Sequence, residues 1–245
     1  MKKVAKFGGS SLASAGQMKK VADIIHADET RRFVVPSAPG KRYSDDVKVT
    51  DLLYRCYDAA AAGEDIDGRL KEIQARYQEI IEGLELDLNL DEEFAVMRDY
   101  FQRQAGRDYA ASRGEYLNGL VMAKYLGFKF IDAAEVVLFD ERGNFDAEHT
   151  NEVMRQRLKN MDNAVIPGFY GAMPDGSIKT FSRGGSDITG SIVARAVKAV
   201  VYENWTDVSG VLVTDPHVVK NQEPIETITN RELREPVSYT HIRAH

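Results

Sequence analysis

Ser182-Arg183-Gly184-Gly185-Ser186-Asp187-Ile188-Thr189-Gly190 stands between a short run with strand character, Ile178 to Phe181, and the apolar repeat Ile188, Ile192, Val193, Ala196, Val197 and Val200. That repeat keeps one face of a helix dry, so a helix is predicted to begin near Ser186 or Asp187, either of which can cap it. A helix start gathers free backbone N–H groups and the positive end of the helix dipole, and two glycines remove the side chains that would hold an anion away. An anionic ligand fits such a turn. A plain chain reversal with a capping serine uses the same residues, and this stretch alone does not choose between the two. Arg183 offers a planar fork suited to a carboxylate or phosphate. Asp187 has three readings: it holds a lysine, it holds Mg²⁺, or it caps the helix.

The same order of strand, glycine turn and helix occurs at the N-terminus. Val4 to Phe7 reads as a strand, Gly8, Gly9, Ser10 and Ser11 as the turn, and Met18, Val21, Ile24 and Ile25 as the dry face of a helix. Lys6 at the strand end is either a mobile charge for an oxyanion or an ordinary solvated lysine. Neither usual nucleotide fingerprint is present: there is no G-x-G-x-x-G here, and Gly40-Lys41 lacks both the upstream glycine and the following Ser/Thr of a P-loop.

Between these ends the chain reads as alternating strands and helices, an α/β pattern. Phe33 to Val35 is predicted as a strand that ends at Ser37, and Thr50 as the cap of the next helix, with a mobile charged loop between them. Loops at strand ends of open sheets are where small ligands bind. Leu70 to Leu84 and Phe94 to Phe101 read as two helices, an excursion over about 64–105, with Arg69, Lys71, Glu72, Arg76 and Glu79 on the wet face. Ser112 to Glu115 is predicted to precede a further helix, where Glu115 either complements the helix start or accepts an ammonium group. Phe128 to Ile131 and Val136 to Phe139 are expected as strands, Arg142-Gly143-Asn144 as a turn, and Val165 to Gly171 as a strand that reverses at Pro174-Asp175-Gly176 and returns to the opening motif, bringing Phe169 and Arg183 into one neighbourhood. Further strands are expected at Val200 to Tyr202 and Val211 to Val213. The pairs Thr206-Asp207 and Thr214-Asp215 after them are ordinary turn signals that also suit a nucleotide pocket.

Composition excludes several classes. With 245 residues and a formal charge of -6, the chain has no basic excess for a nucleic acid. The single cysteine, Cys56, rules out an internal disulfide, and no run of 18 apolar residues suggests a membrane span. The reading expects a cytoplasmic protein. His149 has no second ligand at metal spacing, so no protein-built metal site is expected.

Taken together, Lys6-Phe7-Gly8-Gly9-Ser10-Ser11, Ser37-Ala38-Pro39-Gly40, Arg113-Gly114-Glu115, Ser182 to Asp187, Trp205 to Gly210 and Thr214-Asp215-Pro216 resemble the catalytic domain of aspartate kinases in the amino-acid kinase superfamily. The resemblance implies a three-layer αβα sandwich of the carbamate kinase-like type with a mostly parallel sheet, C-terminally incomplete. It implies ATP and Mg²⁺ as cofactors, L-aspartate as substrate and 4-phospho-L-aspartate as product, on the route to lysine, threonine and methionine. By the same resemblance Lys6 meets the transferred phosphoryl group and Gly8, Gly9 and Ser10 its oxygens. Asp187 organises charged groups and metal. Glu115 meets the aspartate ammonium and Arg183 a carboxylate, with Ser37, Thr50, Phe169 and Ser186 shaping that end. Thr206, Asp207, Leu212, Thr214, Asp215 and His217 lie on the ATP side, His217 where relatives commonly carry arginine. The catalytic domain is expected over 1–235 and a tail foreign to the fold over 236–245, because Pro236 breaks the helix that Arg231 to Glu235 begins. Regulatory ACT domains are expected to be missing, leaving homo-oligomerisation open. The alternatives are a weak or inactive nucleotide- or amino-acid-binding module, or a kinase of another acidic metabolite.

Overall fold

The chain opens on β1 (Lys3–Phe7), a single 3-10 turn at Ser10–Leu12, α1 (Ala15–His26) and β2 (Arg31–Pro36). Four consecutive helices follow: α2 (Val49–Ala61), α3 (Asp67–Gly83), α4 (Asp91–Gln102) and α5 (Arg107–Leu126). Then come β3 (Lys129–Phe130), α6 (Ala133–Val136), α7 (Ala147–Leu158), β4 (Ala164–Val165), the hairpin β5 (Tyr170–Ala172) and β6 (Ile178–Thr180), α8 (Gly185–Ala196) and β7 (Val201–Trp205). This computed structural model describes residues 1–182 and 184–206. Met1–Trp205 forms one compact unit.

Five strands pair in the order β3-β4-β2-β1-β7, all parallel. Side chains alternate across a strand, so each strand feeds two cores. Ala5, Phe7, Val34 and Val165 join the helices α1 to α5 in one buried cluster. Val4, Phe33, Val35 and Ala164 point the other way, into a cluster with α6, α7 and α8. The result is a three-layer αβα sandwich with a parallel sheet, as expected. The alternation also aims Lys6, two residues after Val4, at the layer that contains α8.

Several local readings are corrected. The stretch Ser112 to Glu115 does not precede its helix but lies within it: α5 begins at Arg107, and Ser112, Arg113, Gly114, Glu115 and Asn118 are buried inside it. A helix buried on most sides has no dry stripe to find, and its polar residues imitate a turn. Thr50 is not the cap of α2 but lies in its first turn, after Lys48, which makes no side-chain cap bond. Val136 to Phe139 is the end of α6 followed by an isolated bridge from Leu138 to Ala172 rather than a strand. Val165 to Gly171 is broken, because Phe169 takes a left-handed backbone (φ 83°) and sends the chain out of the main sheet into the β5–β6 hairpin. The loop at 41–48 is tied down, not mobile: buried Asp46 accepts from the amide and guanidinium of Arg42 and pairs with Arg76 at 3.1 Å. Arg76 is therefore not on a wet face. It is 6% exposed, and the expected strand at Val211 to Val213 and helix at Arg231 to Glu235 lie outside the described residues.

Candidate active site

At the carboxyl end of β1 the chain cannot continue straight, because the turn after β2 occupies the space. A Cβ on Gly9 would lie 2.8 Å from the Ala38 carbonyl oxygen, and one on Gly40 would lie 2.7 Å from the Gly9 carbonyl carbon. Only glycine at both positions lets these backbones meet. The contact is closed by the Gly40 amide donating to the Gly9 carbonyl (2.8 Å) and the Ser37 amide to the Phe7 carbonyl (3.1 Å). On the other side, the Gly8 amide donates to the Trp205 carbonyl of β7 (3.2 Å), and the Phe7 and Trp205 rings stack at 6.1 Å. The Gly8–Ser10 loop is thus held from both flanks.

The second glycine turn is built by equally close contact. Gly168 sits against Ser186, where a Cβ would approach the Ser186 Cα to 2.7 Å. Gly185 sits against Phe169, whose Cα would be 2.8 Å from an added Cβ. The Phe169 amide donates to the Thr189 hydroxyl (3.1 Å), which donates to the Gly185 carbonyl (3.0 Å). Neither Ser186 nor Asp187 caps α8: the N-cap is Gly184 in the left-handed region (φ 56°), with no side-chain cap bond. The helix start accordingly keeps its first-turn N–H groups for something other than its own cap.

These two turns meet through Lys6. Its ammonium lies 2.8 Å from the Asp187 carboxylate, with the lysine side chain 10% and the aspartate side chain 47% exposed. The lysine is buried on the α8 side of β1 and is no solvated surface residue. Tyr202 supports the pair by donating to the Asp187 carbonyl (3.2 Å), its ring lying where a Cβ on Gly190 would be.

A third wall comes from α5. Gly114 packs against the Ala38 Cβ and Gly119 against Pro167, so this helix reaches from the turn after β2 to the turn before Phe169. Glu115 is 6% exposed, accepts from the Ala38 amide and leaves Oε2 without a hydrogen-bond partner. Burial pushes its carboxyl up to about 8, the Ala38 amide opposing that only in part. Asn118, one turn on, is wholly buried and donates to the Ser37 carbonyl (2.6 Å). Behind the wall stands α3. Arg76 donates to the Gly40 carbonyl (3.0 Å) and to the Val47 carbonyl (3.1 Å), and the Tyr77 hydroxyl donates to the Gly114 carbonyl (2.7 Å).

Lys6, Gly8, Gly9, Ser10, Ser37, Glu115, Phe169, Ser186 and Asp187 therefore gather about the carboxyl ends of β1 and β2, and Thr50 lies one residue into α2, whose first amide donates to the Pro39 carbonyl. Arg183, Asp207, Leu212, Thr214, Asp215 and His217 lie outside the described residues, and Thr206 is exposed. Sequence reasoning missed Asn118 and Arg76, because each reads locally as a polar position on a helix, and Tyr77, because it reads as one more apolar position of its helix. Among the described residues no group of three or more His, Cys, Asp or Glu side chains gathers to hold a metal, and no helix is long and apolar enough to cross a membrane.

A profile of the Amino acid kinase family matches residues 1–244. The chain belongs to that family. Within it, the chain is similar to Aspartokinase 3 of Bacillus subtilis, at 38% identity over 95% of this chain and 54% of the relative. The crystal structure of Clostridium acetobutylicum aspartate kinase superposes with a TM-score of 0.92 at 48% identity, covering 99% of this chain and 56% of that one. Aspartokinase III of E. coli in complex with aspartate and ADP superposes with a TM-score of 0.77 at 28% identity, over 92% of this chain and 53% of that one. This member of the amino acid kinase family spans about half the length of the relatives it matches.

Proposed function

We propose that this chain forms the catalytic unit of an ATP-dependent aspartate kinase, which transfers the γ-phosphoryl group of ATP to the side-chain carboxylate of L-aspartate. The observation that carries the reading is the buried Lys6, held 2.8 Å from Asp187 where two glycine turns converge. The similarity to aspartate kinases, one of them in complex with aspartate and ADP, supports the choice of substrate and nucleotide.

The substrate carboxylate is already a nucleophile, so the protein needs no Ser-His or Cys-His pair. One carboxylate oxygen forms the new bond to phosphorus while the bond to the β–γ bridging oxygen breaks, and ADP leaves with that electron pair. What the protein supplies is placement and compensation of charge. Lys6 offsets charge on the transferred group, and the amides of Gly9 and Ser10 with the α8 start receive phosphate oxygens, while Gly8, whose own amide donates to the Trp205 carbonyl, leaves the turn free of a side chain. Glu115 takes the aspartate ammonium, which favours its ionised form in spite of burial. Arg183 takes a carboxylate, with Ser37, Thr50, Phe169 and Ser186 shaping that end. The nucleotide side would fall to Thr206, Asp207, Leu212, Thr214, Asp215 and His217.

Asp187 is the carboxylate available for Mg²⁺, and a single partly exposed carboxylate suits an ion held otherwise by water and nucleotide phosphates. When bound, Mg²⁺ neutralises charge on the phosphate oxygens. The test is ADP release from MgATP with L-aspartate, with the acyl phosphate trapped by hydroxylamine. Equal yields of ADP and aspartyl hydroxamate are expected. Nucleotide binding without ADP, or equal turnover of glutamate or N-acetylglutamate, would overturn the reading.

A further inference from the structure

We propose that Asn118 is a second acceptor for the substrate ammonium group, beside Glu115, and so helps select an α-amino acid over the matching dicarboxylic acid. This rests on the aspartate reading above. Among the described residues, four buried side-chain oxygens have no hydrogen-bond partner: Glu115 Oε2, Asn118 Oδ1, Asn151 Oδ1 and Asp187 Oδ1. Asp187 Oδ1 has its ion pair with Lys6, and Asn151 lies away on α7. The remaining two are three positions apart on α5, a spacing that sets side chains next to each other on one helix face.

The orientation of Asn118 is set by its partner. Nδ2 donates to the Ser37 carbonyl, and exchanging nitrogen and oxygen would press two acceptors together, so Oδ1 faces away from Ser37. Asn118 is 0% exposed, and a buried acceptor without a donor is costly. Glu115 and Asn118 both touch the Ser37-Ala38 turn, at the carboxyl end of β2 where an open sheet takes its ligand. Two neighbouring acceptors that lack donors call for a donor-rich group, and an ammonium carries three N–H bonds and the charge that an ionised Glu115 needs. A hard divalent cation fits less well, since it takes six or more oxygens and no cluster of three ligating side chains is present among the described residues.

The probes are L-aspartate and succinate, the same dicarboxylate without the amine, titrated into the full chain with a non-hydrolysable ATP analogue present. Asn118→Leu should weaken aspartate at least about tenfold, roughly the loss of one charge-assisted hydrogen bond, and leave succinate within about twofold. Equal weakening of both would overturn the assignment, since Asn118 would then act only by holding the Ser37 turn. Unchanged aspartate binding would overturn it too. If Asn118→Leu does not fold, Asn118→Ala removes the same oxygen without added bulk. In the unaltered protein, the Asn118 side-chain amide resonances should shift with aspartate and not with succinate, and no shift with aspartate would sink the idea. Wild-type protein that binds neither acid would overturn the aspartate reading itself.

Discussion

The two flanks of the candidate site are held by unlike means. On the α8 side, backbone meets backbone through glycine, with Gly168 on Ser186 and Gly185 on Phe169. On the α3 side, long side chains reach across to single carbonyls, Arg76 to Gly40 and Tyr77 to Gly114. The first kind of contact has no slack, because a single methyl group would have to displace main chain. The second kind can be trimmed one bond at a time, at graded cost. The glycine turn beside α8 is thus set by exclusion, and the wall carrying Glu115 is braced from α3 by reach.

Breaking the centre should have the largest effect. Lys6→Met removes the charge at the junction and should lower turnover about 10²- to 10³-fold, comparable to losing one oriented charge-stabilising donor, with the melting temperature kept. Steady-state kinetics beside a thermal melt checks this. Glu115→Gln comes next. A carboxyl raised to about 8 in the fold, from an ordinary value of 4.5, adds stability that is complete below the ordinary value and lost as pH rises through the raised one. The unliganded protein should therefore melt at lower temperature at pH 9 than at pH 5, and Glu115→Gln should flatten that slope between the two.

The comparison itself is sharpened by two smaller changes. Gly168→Ala puts a Cβ 2.7 Å from the Ser186 Cα, and should cost about 1–3 kcal/mol of stability in denaturant titration while displacing the start of α8. Arg76→Met leaves buried Asp46 with Arg42 alone and strips the Gly40 carbonyl, and Tyr77→Phe removes one hydrogen bond of about 1 kcal/mol. Arg76→Met should raise KM for ATP more than for aspartate, because its carbonyl belongs to the turn that clasps Gly9. Tyr77→Phe should do the reverse, because its carbonyl adjoins Glu115. Equal changes in both constants for both variants would show α3 to be a passive support.

Much of the candidate site was legible because its signals are local. Glycine pairs after short apolar runs, followed by helical repeats, mark both glycine turns, and strand alternation is enough to send Lys6 and Val4 to one face. The α5 wall was not legible. Its buried Ser112, Arg113 and Glu115 look like a polar turn to any local rule, and the helix was predicted to start only after that stretch, well past its true start at Arg107. Arg76 was misread for a related reason. Its side chain is polar on an amphipathic helix, yet the 41–48 loop folds over it and the Gly40 carbonyl waits at its end.

Residue order alone was sufficient for the α/β alternation, the two glycine turns and the charges set beside them, since these follow from backbone freedom and side-chain periodicity within a few residues. Tertiary packing decided that Lys6 faces Asp187, that Gly184 and no side chain caps α8, and that Glu115 and Asn118 share a buried wall. Those outcomes depend on what covers a residue from a distant part of the chain, and burial sets both the cost of an unpaired oxygen and the proton affinity of a carboxyl.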